Sequence, residues 1–187
     1  MSKTGLVKTG ATYGDLCALP ENLVAEMFDG ELYATPRPAV PHAHSASVLG
    51  FELGGPFHLG RNGPGAWWIL VEPELHFGAD VLVPDLAGWR RARLPALPNA
   101  AYFTLAPDWV CEVLSPSTET IDRAKKLGRY ARAGVAHAWL VNPLLQTLEV
   151  LTLDSGRWTL AATHEGRANV RAEPFDAIEL ELGALWA

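Results

Sequence analysis

A chain of 187 residues that is 49% hydrophobic and 19% charged is long enough to bury a core and too apolar to be disordered. Its formal net charge of −6 argues against a broad nucleic-acid surface, and its two cysteines supply neither a disulfide framework nor a zinc motif. No apolar stretch is long enough to span a bilayer, and Met1–Gly5 lacks the apolar core of a signal peptide. The expectation is one cytoplasmic domain over residues 1–187 with no membrane partner.

In chain order, residues 12–29 read as a short helical hairpin, with Pro20 opening its second helix. Asp29-Gly30 then turns into a short strand, Glu31–Ala34, closed by Pro36 and Pro38. His42–Leu53 reads as a helix stopped by Gly54-Gly55-Pro56. A strand region over 66–77, bent at Pro73, precedes a strand from Asp80 to Trp89 and a proline-rich loop over 92–106. Residues 108–114 form the next strand. Ser115-Pro116-Ser117-Thr118 supplies a turn and an N-cap for a helix that runs to Ala133, with Gly134 as its terminator. His137–Val141 is nearly all apolar and is expected at the centre of the sheet. Thr147–Leu153 and Trp158–Thr163 pair across Asp154-Ser155-Gly156, and Ile178–Leu182 is a candidate last strand. The order defines an α/β or α+β fold, a sheet with helices packed on it and an added C-terminal β-hairpin.

Two carboxylates interrupt this pattern. Asp85 ends the apolar run Val81-Leu82-Val83-Pro84-Asp85, and Glu112 sits inside Trp109-Val110-Cys111-Glu112-Val113-Leu114. A lone charge inside a buried strand costs several kcal/mol, roughly, so each acid needs a partner or a cation. Strand alternation puts Val110, Glu112 and Leu114 on one face, and Val81, Val83, Asp85 and Ala87 on one face of the neighbouring strand. Two acids brought together in this way can bracket a divalent metal and support phosphodiester hydrolysis. Taken singly, each residue has a plainer role. Asp85 can cap backbone amides, Glu112 can pair with an arginine, and Lys126 can be a solvated helix lysine. The clusters Arg90, Arg91, Arg93 and Arg123, Lys125, Lys126, Arg129, Arg132 can be solvated faces. No Gly-x-Ser-x-Gly elbow surrounds Ser115 or Ser117, which counts against a serine hydrolase.

Val83-Pro84-Asp85, then Cys111 to Thr118, Asp122, Lys126, Tyr130, Gly134-Val135 and Trp139-Leu140-Val141-Asn142-Pro143 resemble the Uma-two family of putative restriction endonucleases. That family belongs to the PD-(D/E)XK nuclease superfamily. The likeness runs from Asp29 to Val150 and implies a restriction-endonuclease-like core at about 30–153, a mixed sheet flanked by helices. It also implies a Mg²⁺ or Mn²⁺ site on Asp85 and Glu112, and a nucleic-acid partner with DNA favoured. The lysine two places after the acid is replaced by Leu114. The resemblance assigns its role to Lys126, which makes Asp85, Glu112 and Lys126 the catalytic candidates. Glu31, Glu74 and His42 are additional site candidates, Arg90 and Arg91 are candidate phosphate cations, and a homodimer is possible. The alternative function is a catalytically degenerate nuclease fold that acts as a binding or regulatory module.

Overall fold

The computed structural model describes residues 5–186. The chain begins with β1 (Gly5–Thr9), the one-turn helix α1 (Tyr13–Cys17), β2 (Leu23–Phe28) and β3 (Glu31–Pro36). The helical hairpin expected at 12–29 is therefore corrected. Its second half is a strand that pairs antiparallel with β3 from Leu23↔Pro36 to Phe28↔Glu31. Asp29 (φ 53) and Gly30 (φ 73) both lie in the left-handed region, as a two-residue hairpin turn demands. The Asp-Gly signal marked a hairpin with a strand on each side.

Helix α2 (Val40–Leu53) carries Pro41 in its first turn, where a missing N–H costs nothing. Gly54-Gly55-Pro56 does not stop the helical path, which runs on as a π turn through His58. β4 (Trp67–Val71) and β5 (Leu75–Phe77) follow, then β6 (Asp80–Leu82) and β7 (Leu86–Arg90). Each of the two strands expected in this region is thus split in two. β5 and β6 belong to a five-stranded sheet of order β1-β3-β2-β6-β5. β4 and β7 belong to a six-stranded sheet that also contains β8 (Trp109–Val113), β9 (His137–Asn142), β10 (Thr147–Asp154) and β11 (Arg157–Glu165), in the order β11-β10-β9-β8-β7-β4. The chain changes sheets at Val83-Pro84-Asp85, where proline offers no N–H to continue a ladder. β8 and β9 are parallel and the other pairs in the six-stranded sheet are antiparallel, so the sheet is mixed and β9 is central.

The β8–β9 crossover holds α3 (Glu119–Ile121), a π turn (Asp122–Lys126) and α4 (Leu127–Ala133), ended by Gly134 at φ 80. Thr118 flanks this helix but makes no side-chain cap bond. A short pair, β12 (Asn169–Val170) and β13 (Leu180–Glu181), closes the chain before a 3₁₀ turn.

Alternation along β8 divides the core. Trp109, Cys111 and Val113 pack with Leu49 and Leu53 of α2 and with the C-terminal Phe175, Leu182 and Trp186. Val110 and Leu114 face the other way, towards Tyr130 of α4 and Phe28 of β2. Glu112 shares that second face. The first core is packed to contact around β7: a Cβ on Gly88 would lie 3.1 Å from Ile69, 3.2 Å from Trp67 and 3.3 Å from Trp109. Gly88→Ala is expected to lower stability by about 1–3 kcal/mol in urea unfolding. An unchanged midpoint would mean that the three side chains can yield.

A buried carboxylate cluster as the candidate active site

The break between β6 and β7, the end of β8, the start of α2 and the π turn before α4 converge on one cavity of ≈ 520 Å³. Glu26, His42, Asp85, Glu112, Asp122 and Lys126 all line it.

Glu112 is almost fully buried, and both its oxygens have partners. Tyr130 Oη donates to Oε1 at 2.5 Å, and Lys126 Nζ donates to Oε2 at 2.8 Å. The Lys126 ammonium also donates to the Val83 carbonyl at 3.1 Å and lies 2.9 Å from Glu26 Oε1 as an ion pair. Asp122 stands 3.7 Å away. Glu26 is fixed in turn by the Val83 N–H, which donates to Oε1 at 2.8 Å. Asp85 Oδ2 accepts from the Val113 N–H at 2.6 Å, and its Oδ1 lies 3.3 Å from His42 Nε2. The amide-capping role of Asp85 and its place in the cavity therefore coexist. His42 Nδ1 is buried without a hydrogen-bond partner.

The π turn makes this arrangement local. Its wider coil carries Asp122 and Lys126, both buried, on the side that faces the cavity. Single π turns inside helices recur at functional sites. Lys125, one residue earlier, points elsewhere and binds Glu31 Oε2 at 2.8 Å and Tyr33 Oη at 2.5 Å.

The electrostatics are those of acids in excess. Burial pushes Glu112 well above the usual carboxylate range; Lys126 opposes this, while Asp122, Asp85 and Glu26 push it further. Burial also opposes the charge on Lys126, but Glu112 and Glu26 hold its ammonium protonated well beyond the ordinary lysine range. Burial would depress His42, yet the hydrogen bond and charge of Asp85 raise it above its ordinary value. Asp122 is raised from 3.8 to about 6, chiefly by burial.

The last shift predicts a pH effect. The folded chain holds the Asp122 proton more tightly than the unfolded chain, so its contribution is complete below pH 3.8 and disappears as pH rises through about 6. Two pKa units correspond to about 3 kcal/mol. Urea unfolding should show the wild type losing stability relative to Asp122→Asn across that window. Parallel pH profiles for the two proteins would refute the shift.

The cavity brings together Asp85, Glu112, Lys126 and His42. It does not take in Glu31 or Glu74. Glu31 belongs to the Lys125–Tyr33 pair, and Glu74 accepts from Tyr13 Oη at 2.8 Å and lies 2.7 Å from His76 Nε2. The upstream acid that reaches the Glu112–Lys126 pair is Glu26, which the helical reading of 12–29 hid. Arg90 and Arg91 are also elsewhere, stacked over Trp67 and Trp68. Arg37 is the arginine that lines the cavity, paired with Glu72 at 3.2 Å.

Among the described residues, no three His, Cys, Asp or Glu side chains stand as a preformed metal-binding group. The donor chemistry nevertheless suits a hard cation. Asp85 and Glu112 offer oxygen ligands on one cavity wall, and acids outnumber cations around them. Mg²⁺ is ordinarily held by one or two carboxylates with waters and substrate phosphates.

A mixed sheet that delivers carboxylates from a strand and from a strand break to one cavity, with a lysine from the following helix, is an arrangement suited to phosphodiester chemistry. The fold is shared with a solved structure from Anabaena variabilis described as a putative nuclease belonging to DUF820. The two are 24% identical, with a TM-score of 0.75 over 94% of this chain and 97% of that chain. The chain belongs to the Uma2 family, described as putative restriction endonuclease, whose model matches residues 11–183. A comparison with curated proteins finds no match. No helix among the described residues is long and apolar enough to cross a membrane.

Proposed function

We propose that the protein is a metal-dependent nuclease that hydrolyses phosphodiester bonds of nucleic acid, with Mg²⁺ or Mn²⁺ held by Asp85 and Glu112. The observation that carries this reading is the convergence of Asp85, Glu112 and Lys126 on one acid-rich cavity. When bound, the cation would polarise the phosphodiester and make a coordinated water more acidic. The chain's own residues do the rest. Tyr130 and Lys126 hold Glu112 from its two oxygens. The Val113 N–H and His42 hold Asp85 from its two oxygens. Arg37 is well exposed at the rim and can exchange Glu72 for a phosphate oxygen at little cost, since exposed ion pairs contribute only about 0–1 kcal/mol.

A second reading, a nuclease fold that binds without cutting, is favoured by one detail: Lys126 is already held by Glu112, the Val83 carbonyl and Glu26. The two readings separate in an assay of plasmid DNA, single-stranded DNA and RNA with Mg²⁺, Mn²⁺ or EDTA. The nuclease reading expects metal-dependent cuts that disappear in Glu112→Gln, a change that keeps shape and removes charge. Cleavage that persists in Glu112→Gln would remove the site from the reaction. Binding without cleavage in the wild type would leave the second reading.

A further inference from the structure

Beside the carboxylate cavity lies a second groove, of ≈ 340 Å³, between α2 and β4. Its walls are apolar, with Ala46 and Phe51 on the helix and Ile69 and Val71 on the strand. His42, Asp85 and Glu72 line both spaces, so the groove opens directly onto the acids. Phe51 is 76% exposed and Val71 is 61% exposed, so the helix and strand walls together present an open apolar surface. β4 is an edge strand of its sheet, and Val71 is its exposed residue. Glu72 stands at the junction in a left-handed backbone conformation (φ 47), its N–H donating to the Asp85 carbonyl at 3.0 Å.

The occupant must suit an apolar space that adjoins a phosphodiester-cleaving centre. A duplex does not. Its bases are paired and stacked, and its backbone is ordinarily gripped by arrays of lysine and arginine. Here the chain carries a net charge of −6, and Arg37 and the buried Lys126 are the lysine and arginine side chains in the cavity. An unpaired nucleotide does fit. Its phosphate can reach the acids while its flat base enters the groove and stacks on Phe51, a contact that depends on no basic surface. The groove volume lies near the lower end of the roughly 300–1,000 Å³ range of small-molecule pockets, room for one ring system.

Building on the nuclease reading, we propose that this groove binds the nucleobase next to the scissile phosphodiester, so that the substrate is single-stranded or locally unpaired nucleic acid. Bases in a duplex would have to be extruded first, and a paired base resists this more than an unpaired one.

The test measures binding by fluorescence anisotropy, with Ca²⁺ replacing Mg²⁺. The probes are an oligothymidylate and an abasic oligonucleotide of equal length and phosphate count. The wild type should bind the base-bearing strand roughly tenfold tighter. Phe51→Ala should remove most of that preference and leave abasic binding unchanged. Leu160→Ala, an exposed leucine on β11, should change neither. Thermal melts should show Phe51→Ala as stable as the wild type, given its exposure.

Equal binding of the two strands by the wild type would overturn the groove, and so would equal weakening of both by Phe51→Ala. Mg²⁺-dependent cleavage in the same preparation would still uphold the nuclease. A Phe51-dependent base preference in a protein that cuts nothing would uphold the groove and sink the nuclease. If Phe51→Ala instead dissociated an oligomer in sedimentation without altering base preference, the groove would belong to a second copy of the chain and the proposal would be wrong.

Discussion

Replacing Lys126 by methionine is expected to cost the fold about 3–5 kcal/mol, the toll of removing one partner from a buried ion pair. The ammonium is almost fully buried between Glu112, Glu26 and Asp122. Without it, three acids would share a cavity wall with no cation at their centre. The loss should shrink markedly in the double variant Lys126→Met, Glu112→Gln, because the second change removes one of the stranded charges. Urea unfolding of the two single variants, the double variant and the wild type closes the cycle. Simple additivity would show that Lys126 and Glu112 do not act as a pair. Lys125→Met is the control: its ammonium lies on the partly exposed Glu31–Tyr33 pair, and its loss should cost no more than about 1 kcal/mol.

On the proposed metal-dependent nuclease reading, Asp85→Asn is expected to lower cleavage by at least about a thousandfold while leaving the fold in place, since several kcal/mol of transition-state stabilisation would then rest on the cation. An asparagine oxygen can still accept the Val113 N–H that Asp85 Oδ2 accepts now. What it lacks is the charge. The binding consequence can be read without any nuclease assay. Mg²⁺ at a hundred times its dissociation constant should stabilise the wild type by about 2.7 kcal/mol, and Asp85→Asn should lose most of this. Equal stabilisation of the two proteins by Mg²⁺ would mean that the ion binds elsewhere.

The sequence exposed some of this site and hid the rest for physical reasons. Glu112 was legible because an acid inside an unbroken apolar strand is costly, and the structure gives it two buried partners. The same argument applies to Glu26 in Leu23–Phe28, but only once that segment is read as a strand. The helical reading removed the alternation that would have singled it out. Asp85 was visible as a residue, while its setting was not. A continuous strand from Asp80 to Trp89 has no place for the change of sheets that the structure makes at Pro84. Lys126 and Lys125 could not be separated by helical periodicity, because the π turn at Asp122–Lys126 changes the angle between successive side chains and leaves no mark in composition. Arg90 and Arg91 are near Asp85 in sequence, yet they lie at the far end of β7, whereas Arg37 reaches the cavity from the end of β3. The central β9 and the β10–β11 hairpin were legible because a long apolar run and a short polar turn state them directly, while the mixed character of the sheet came from the family resemblance.

The change of sheets at Val83-Pro84-Asp85 also makes the site a mechanical gauge. Glu26 stands on one sheet, Glu112 stands on the other, and Asp85 sits on the few residues that tie them together. A small slide of one sheet against the other would change the spacing of the acids without disturbing either sheet internally. Conversely, a crosslink between the two sheets would be expected to preserve the spacing of the acids at temperatures where the uncrosslinked protein has begun to lose it.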